Sequence, residues 1–350
     1  MSIDYSKLFP IGYPIGRECN ENIVIGIKEE TLFMHTMVLG ATGSGKSTTV
    51  ATLINNSIEN IMQKGLKVLI LDWHGEYAKL LKTRYKYIDP YQELQLNPLT
   101  LSHTRDKLEI LEIFEEVLEL TGPQSYILFE ILKNTGEERR QITSLDQLIE
   151  EVENYTGEAS WTREVKQALL RKLFTMARDI NLFSQDKFLN IFKTNSNVCI
   201  IDVSLIKDII VRKLYVLLFL KFLFDHYVYS RGLRKNPRVL LVIEEIQNVF
   251  SKDTSIALVK KFVREVRKFG IGIIAITQSP SSILEDLMIN SATKIIHSIR
   301  SSQDLELIRK LTKLPQEIEK ILPVLDQGEA VLYTVDYKIP ILVKITEIKK

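Results

Sequence analysis

One eight-residue segment near the amino end has the composition of a phosphate-binding loop. Residues 40–47 read GATGSGKS and fit the pattern G-x-x-x-x-G-K-S/T in full. An apolar run, Thr36–Leu39, precedes the loop, and apolar residues at helical spacing follow it. Backbone N–H groups and the amino terminus of the following helix then attract phosphate, while the lysine bridges the β- and γ-phosphates and the next hydroxyl holds Mg²⁺. The sequence therefore predicts a site for ATP and Mg²⁺ formed by Gly40, Ala41, Thr42, Gly43, Ser44, Gly45, Lys46, Ser47 and Thr48.

Two adjacent acidic residues follow a second apolar run. Val239–Ile243 ends in Glu244 and Glu245. At the tip of a buried strand, the first carboxylate can face the Mg²⁺ shell opposite Ser47, and the second can act as a general base toward the attacking water. We therefore predict Glu244 as a metal ligand with Ser47, and Glu245 as a catalytic residue together with the phosphate-loop lysine. The alternative is a pair of solvated acids at a strand end, which the phosphate loop upstream disfavours.

A polar amide follows a third apolar run. Ile271–Thr277 is followed by Gln278, Ser279 and Pro280. An amide at this strand end could sense the γ-phosphate or orient the attacking water, so we predict Gln278 as a further catalytic residue. The alternative is a simple transition from strand to turn at the Ser-Pro pair.

The elements that must position these residues form an α/β pattern. Short, near-continuous apolar runs alternate with helical stretches, which is typical of a mostly parallel sheet buried on both faces. The strongest strand candidates are Thr36–Leu39, Lys67–Leu71, Val198–Val203, Val239–Ile243 and Ile271–Thr277. Weaker candidates are Lys294–Ile296, Ala330–Val335 and Ile341–Ile345, the last two forming a hairpin around Asp336–Lys338.

Between about residues 101 and 190 the apolar residues instead recur at three- and four-residue spacing, with charged residues between them. This pattern predicts a cluster of amphipathic helices inserted into the α/β core. We therefore divide the chain into the first part of an ATPase core (1–100), a helical insertion (101–190) and the second part of the core (191–350).

Composition excludes several other classes of protein. Of the 350 residues, 45% are hydrophobic, which is enough for a large core, and the net charge of +2 neither requires nor excludes nucleic acid. Cys19 and Cys199 lack metal-ligand spacing, so we predict reduced thiols in a cytoplasmic protein. The apolar run Leu214–Phe224 is interrupted by Lys221 and is far shorter than the roughly 20 residues of a membrane span. It predicts a buried core helix, and no integral membrane segment is expected.

A basic cluster lies between the acidic pair and the third apolar run. Such a cluster could contact the phosphates of DNA, or of ATP on a neighbouring subunit, or it could be a solvated helix face. Its members are Lys252, Lys260, Lys261, Arg264, Arg267 and Lys268.

Six ordered segments together resemble the HerA–FtsK superfamily, and HerA-like ATPases in particular. They are His35 with the phosphate loop, Leu71–Tyr77 (LDWHGEY), Leu96–Leu99 (LNPL), Ile243–Asn248 (IEEIQN), Arg267–Gly270 with Thr277-Gln278, and Leu325–Glu329 (LDQGE). The phosphate loop alone occurs in many families, whereas the ordered set is specific. Glu244 and Gln247 stand where this family usually has Asp and His.

The resemblance implies a RecA-like P-loop core, assembled as a ring that we expect to be a hexamer. It implies an ATP-driven DNA translocase or helicase. Two alternatives remain: a pump for DNA packaging or conjugation, and an ATPase for protein secretion or remodelling. HerA itself carries a β-barrel before its motor that helps to bind a nuclease. Only 39 residues precede Gly40 here, so we expect no such barrel and no nuclease partner.

In such a ring we predict that Arg267 acts on the neighbouring subunit's nucleotide. A helix that leaves the acidic strand end runs away from its own phosphates, so Arg267 is poorly placed to reach them. Arg264, on nearly the same helical face, and Arg300 are the other candidates.

Five residues of the LDWHGEY segment have more than one interpretation. The resemblance suggests that Asp72, Glu76 and Tyr77 lie near the nucleotide or a subunit boundary, and the alternative is plain turn structure around Gly75. We expect His74 to be a packed or surface histidine, and Trp73 to fill the edge of the core rather than stack on a base.

Overall fold

The eight apolar runs predicted as strands and three further strands form one 11-stranded sheet in the computed structural model. The structure describes residues 8–15, 23–100, 104–134, 142–157, 161–229, 238–253, 256–312 and 314–348. The strands are β1 (Leu8–Pro14), β2 (Ile25–Lys28), β3 (Thr36–Leu39), β4 (Lys67–Asp72), β5 (Lys86–Ile88), β6 (Val198–Asp202), β7 (Val239–Ile243), β8 (Ile271–Thr277), β9 (Thr293–Ile296), β10 (Glu329–Thr334) and β11 (Ile341–Ile345).

Helices connect most of these strands. They are α1 (Glu29–Leu32), α2 (Lys46–Gln63), α3 (Tyr77–Leu80), α4 (Thr104–Val117), α5 (Gly122–Asn134), α6 (Leu145–Asn154), α7 (Thr162–Ala177), α8 (Asn190–Lys193), α9 (Ile209–Tyr229), α10 (Ala257–Glu265), α11 (Glu285–Asn290), α12 (Ser302–Thr312) and α13 (Gln316–Ile321). Short 3₁₀ turns include Ile246–Asn248 after β7 and Val266–Phe269 before β8.

The strand order is β2-β1-β11-β10-β9-β3-β8-β7-β4-β6-β5. All neighbours from β9 to β5 are parallel, whereas β2, β1, β11 and β10 pair antiparallel at the other end. The prediction of an α/β fold with a mostly parallel sheet is confirmed, as is the hairpin of β10 and β11.

Three strands are absent from the sequence prediction: β1, β2 and β5. β1 contains Pro10, Gly12 and Pro14, and these residue types are depleted in strands. Gly12 has a tertiary reason, because a Cβ there would lie 1.9 Å from the carbonyl oxygen of Lys344 on β11. Close pairing of the two backbones therefore requires glycine, and that requirement is visible only once the strands are paired.

The sheet separates two apolar cores, and β4 shows how its sequence serves both. Val68 and Ile70 pack with α2 on one face, while Leu69 and Leu71 pack with α9 and the inserted helices on the other. Successive strand side chains point to opposite faces, so a strand that is covered on both sides must be apolar throughout.

The predicted core helix over the run Leu214–Phe224 is part of α9, and this run is buried all round. The side chain of Lys221 is fully buried and pairs with Asp225 and, at 2.8 Å, with Glu109 of α4. Among the described helices, none is both long enough and apolar enough to cross a membrane.

Helices α4 to α7 occupy much of the predicted insertion, and their apolar residues join the core on the α9 side of the sheet. The boundaries at residues 101 and 190 remain predictions. Cys199 is a buried free thiol on β6, and burial raises its pKa, while Cys19 lies outside the described residues.

Candidate nucleotide site

The register of the parallel strands brings the predicted site residues to one edge of the sheet. Leu39 of β3 pairs with Thr277 of β8, and Ile243 of β7 pairs with Leu71 of β4. The residues that follow these positions therefore leave the carboxyl ends of adjacent strands, where ligands bind in open α/β sheets. They are the phosphate loop, Gln278, the pair Glu244 and Glu245, and the segment that begins at Asp72.

The phosphate loop is held by the segment that follows β9 and by the turn before β10. The N–H of Ala41 donates to the carbonyl of Ser298 at 2.8 Å, and the N–H of Gly328 donates to the carbonyl of Ser44 at 3.2 Å. Gly45, the residue just before α2, has φ +102°, a conformation that residues other than glycine rarely adopt. The buried hydroxyl of Ser44 has no hydrogen-bond partner among the described residues. It is thus a polar group inside the loop that a phosphate oxygen could satisfy.

Lys46 is buried to 8% exposure, and its ammonium bends back to the carbonyl of Ala41 at 2.9 Å. Burial lowers its pKa, while the charges of Glu245, Glu244 and Glu76 act in the opposite direction. A positive charge in this position lies between the loop and the acidic strand ends. Phosphate oxygens would give it a partner on the loop side.

Glu244 is the carboxylate nearest to the loop. Its Oε1 accepts the hydroxyl of Ser47 at 2.8 Å, and its Oε2 accepts the N–H of Trp73 at 3.2 Å. Burial and the neighbouring Asp72 carboxylate raise the pKa of Glu244 to about 8, whereas the Ser47 hydroxyl lowers it. A hydroxyl and a carboxylate are the hard oxygen ligands that Mg²⁺ prefers, and a bound cation would favour the ionised acid. These residues therefore fit the predicted metal position.

Asp72 has a structural task. Its carboxylate accepts the N–H of Gly75 at 2.8 Å, that of Glu76 at 3.2 Å and that of Tyr77 at 2.9 Å, which caps the start of α3. The turn interpretation therefore accounts for these three hydrogen bonds of Asp72, while its charge still acts on Glu244 from nearby.

Glu245 is held by side chains from three strand ends. Its backbone is left-handed, with φ 46° and ψ 47°, which is uncommon for a residue other than glycine. Its Oε2 accepts the amide N–H groups of Gln247 and, at 3.1 Å, of Gln278, while its Oε1 lies 3.2 Å from Nε2 of His74. The side-chain carbonyl oxygen of Gln278 in turn accepts a hydrogen bond from the hydroxyl of Thr42, so a chain of hydrogen bonds links the phosphate loop to Glu245.

Sequence reasoning missed two of these contacts. The interpretation of His74 as a packed or surface histidine was incomplete, because its half-exposed ring contacts Glu245. Gln247 was noted only as a departure from a family pattern, and it is fixed by the hydroxyl of Thr277 at 2.7 Å. Both contacts follow from the adjacency of β4, β7 and β8 in the sheet, which brings together the polar residues just past their ends and which the sequence does not reveal. Trp73 is buried at the core edge as expected, with the Arg212 guanidinium 5.1 Å from its ring centre.

The three arginine candidates lie in different places. Arg267 is exposed in the 3₁₀ turn before β8, at the amino edge of the sheet, and makes no ion pair within the described ranges. The seven residues of β8 put it about 20 Å from the carboxyl edge, at roughly 3.3 Å per residue. Arg264 is paired with Asp286 at 2.7 Å, and Arg300 follows β9 on the same edge as the phosphate loop. The structure thus separates Arg267 from the other predicted site residues of its own chain.

A mostly parallel α/β sheet with a phosphate loop after a central strand, and an acidic pair two strands away, defines a P-loop nucleoside triphosphatase. The family model described as "Helicase HerA, central domain" matches residues 9–223. The match spans more than half of the chain, so the chain belongs to this family, and it is an ATP-hydrolysing enzyme. The resemblance to HerA–FtsK proteins is confirmed.

Individual proteins agree with this assignment. The chain is 29% identical over 366 aligned residues to the DNA double-strand break repair helicase HerA of Sulfolobus acidocaldarius, covering 98% of this chain and 71% of that protein. VirB4 of Thermoanaerobacter pseudethanolicus superposes with a TM-score of 0.71 at 18% identity, covering 97% and 95% of the two chains. The plasmid coupling protein TrwB, in complex with ADP and Mg²⁺, superposes with a TM-score of 0.68 at 13% identity, covering 98% and 95%. The two solved structures share the fold.

Proposed function

We propose that this chain hydrolyses ATP with Mg²⁺ and couples the reaction to movement along DNA, as one subunit of a homo-oligomeric ring. The observation that carries the proposal is the meeting of Lys46, Ser47, Glu244 and Glu245 at one sheet edge, in a member of the HerA family. Its relative in Sulfolobus acidocaldarius is a DNA repair helicase.

The phosphate loop and Lys46 would bind the β- and γ-phosphates of ATP. Ser47 and Glu244 would hold Mg²⁺, which supplies charge neutralisation for the phosphates when bound. The buried Ser44 hydroxyl, which lacks a hydrogen-bond partner among the residues that the structure describes, supports this assignment, as does the oxygen pair of Ser47 and Glu244. Thr48, exposed in the first turn of α2, would complete the cradle.

Glu245 would serve as the general base. The water oxygen forms a bond to the γ-phosphorus while the bond from that phosphorus to the bridging oxygen breaks, and the water proton moves to Glu245. Gln278 forms hydrogen bonds with both Thr42 of the loop and Glu245, which suits a residue that senses the γ-phosphate and contacts the general base.

The position of Arg267 supports an assembly in which subunits complete each other's sites. In a closed ring, one surface of each subunit meets a different surface of the next. Arg267, at the sheet edge opposite its own phosphate loop, could then reach the neighbour's γ-phosphate and neutralise the charge that develops there. We expect six subunits.

The basic side chains of the cluster supply the chemistry for a polyanion. Lys252, Lys260 and Lys268 are exposed, as is Arg267. If several of them bind DNA phosphates, counterions are released and the affinity falls steeply with salt.

ATPase rates with and without duplex and single-stranded DNA, from low to moderate salt, test this function, with Lys46→Ala as the inactive control. We expect DNA to raise the rate and salt to suppress the increase. A rate that neither form of DNA changes at low salt would contradict the DNA motor and favour a protein-moving ATPase. Movement of duplex DNA only in the presence of a pore or capsid would instead favour a pump.

A further inference from the structure

We propose that His74 is a positioning residue for Glu245: its imidazole donates to Oε1, the carboxylate oxygen that takes the proton from the attacking water. This inference rests on the proposed role of Glu245 as general base. It assigns a function to a side chain that the sequence marks only as one histidine in a turn.

The hydrogen bonds of Glu245 distinguish its two oxygens. A carboxylate has about four lone-pair sites, two on each oxygen. Oε2 already accepts two amide N–H groups, from Gln247 and Gln278. Within the part of the chain that the structure describes, Oε1 has one contact, Nε2 of His74 at 3.2 Å, and so keeps one site open. The oxygen that can receive a proton is therefore the one that His74 contacts.

The direction of this contact follows from the chemistry of the pair. An ionised carboxylate only accepts hydrogen bonds, so Nε2 must carry a hydrogen for the contact to be a bond. Glu245 is 12% exposed, whereas His74 is 49% exposed. The imidazole of His74 therefore approaches Glu245 from the solvent side. It fixes Oε1, the carboxylate oxygen that does not accept from the amides of Gln247 and Gln278.

His74 is half exposed, but its backbone is tied on both sides. The backbone N–H of Trp73 donates to the carboxylate of Glu244, and the backbone carbonyl of Trp73 accepts a guanidinium N–H of Arg212 at 3.1 Å. The Asp72 carboxylate binds the N–H of Gly75.

Gly75 also sets how closely this turn approaches its neighbour. It has φ +74°, and a Cβ there would lie 2.8 Å from the Ser204 hydroxyl oxygen. A turn with this many fixed points presents its histidine in one place, which a surface histidine with no task does not require.

The position also links the base to the metal ligand. Trp73 and His74 are consecutive, and they contact Glu244 and Glu245, which are also consecutive. The turn after β4 therefore positions both carboxylates relative to each other. A shift of this turn would move the base and the metal ligand together.

Three substitutions separate positioning from mere packing. In His74→Gln, the side-chain amide nitrogen can take nearly the position of Nε2, so a donor to Oε1 remains. In His74→Asn, the amide nitrogen lies nearer to the position of Nδ1 and cannot reach, and His74→Ala has no donor. Lys79→Ala, an exposed change in α3 close by in sequence, is the matched control.

The measurements are kcat and KM for ATP in the whole protein, affinity for a non-hydrolysable analogue, and the melting temperature. We expect His74→Asn and His74→Ala to lower kcat by ~10-fold, as for loss of one charge-assisted hydrogen bond that acts on the transition state. Analogue affinity and melting temperature should stay at parental values. His74→Gln should recover to within ~3-fold of the parent because the donor is restored.

Three outcomes would overturn the inference: parental kcat in all variants, equal loss in His74→Gln and His74→Asn, or a faster rate in His74→Ala, which would mean that the contact restrains Glu245. Glu245→Gln separates this inference from the proposal beneath it. If Glu245→Gln is inactive and His74→Ala is normal, only the role of His74 is wrong. If Glu245→Gln stays active, the assignment of the base is wrong.

Discussion

Replacement of Glu245 by glutamine removes a base while keeping nearly the same shape. In the variant, the amide oxygen can take the place of Oε2 and accept from Gln247 and Gln278 as before. The amide nitrogen then faces Nε2 of His74, which can accept in its other neutral tautomer. The three contacts can therefore persist, and the side chain should stay where it is.

The expected loss lies in the chemical step. Removal of a general base typically costs 10²–10⁴-fold, so we expect kcat to fall by at least ~100-fold, or about 2.7 kcal/mol at 1.36 kcal/mol per tenfold. ATP binding should hold or tighten, because the variant removes one negative charge near the phosphates. In the parent protein burial lowers the pKa of Lys46, and the charge of Glu245 acts in the opposite direction, as expected for a carboxylate near the loop.

Phosphate release at saturating Mg-ATP gives kcat, and titration with a non-hydrolysable analogue gives the dissociation constant. Glu244→Asp is the control, since the shorter acid keeps the charge at the metal position and should have a mild effect. A Glu245→Gln variant within tenfold of the parent would refute the assignment, as would a loss that appears in the dissociation constant. Severe loss in Glu244→Asp with little loss in Glu245→Gln would exchange the two roles.

Three other predictions concern separate parts of the molecule. Lys46→Ala should abolish ATP hydrolysis because the phosphates lose their charge partner, and near-parental phosphate release would show that the site is misplaced. Arg267→Ala should bind nucleotide but not hydrolyse it. Verified mixed rings of Arg267→Ala and Lys46→Ala subunits should regain ATPase activity, because some interfaces pair an intact Lys46 with a neighbour's intact Arg267. Normal hydrolysis by rings of Arg267→Ala alone would contradict this prediction. Protonation of His35, whose pKa is about 4 through burial, should destabilise the fold as pH falls from 6.5 toward 4. With a pKa of 6.5 in the unfolded chain, this shift lowers the free energy of unfolding by about 2 kcal/mol between pH 7.5 and 5. In urea unfolding, the difference in the free energy of unfolding between the parent and His35→Asn should therefore narrow by that amount. A difference that stays constant with pH would refute the prediction.

The sign of the His35 effect follows from its contacts. Nε2 donates to the carbonyl of Val263 at 3.1 Å, and Nδ1 accepts the N–H of Ile273 at 3.1 Å. One donor and one acceptor suit the neutral ring, and a proton on Nδ1 would break the second bond. The unfolded chain therefore binds more protons than the folded one between pH 4 and 6.5, and stability is present above this window and lost within it.

Much of the fold was predictable because its signals are local. The runs that became β3, β7 and β8 were predicted with the bounds that the structure has, since strands covered on both faces must be mostly apolar. The bounds of β11 were also predicted, although this strand is only partly buried and its Lys344 is exposed. The phosphate loop was equally plain, because the glycines, Lys46 and Ser47 are contiguous and each is required by backbone shape or phosphate charge. β1 escaped prediction because prolines and glycine are depleted in strands, and only the pairing with β11 shows why Gly12 is required there.

The sequence by itself determined which side chains could do chemistry and which strand end each one follows. Only the tertiary structure decided which of them meet, because strand order and register are set by contacts between segments far apart in the chain. It placed His74 and Gln247 against Glu245, and it put Arg267 at the opposite edge of the sheet. A hydrogen bond across 171 residues, such as that from His74 to Glu245, leaves no periodicity in the sequence. Its existence depends on β4 lying beside β7, which the order of the strands along the chain does not reveal.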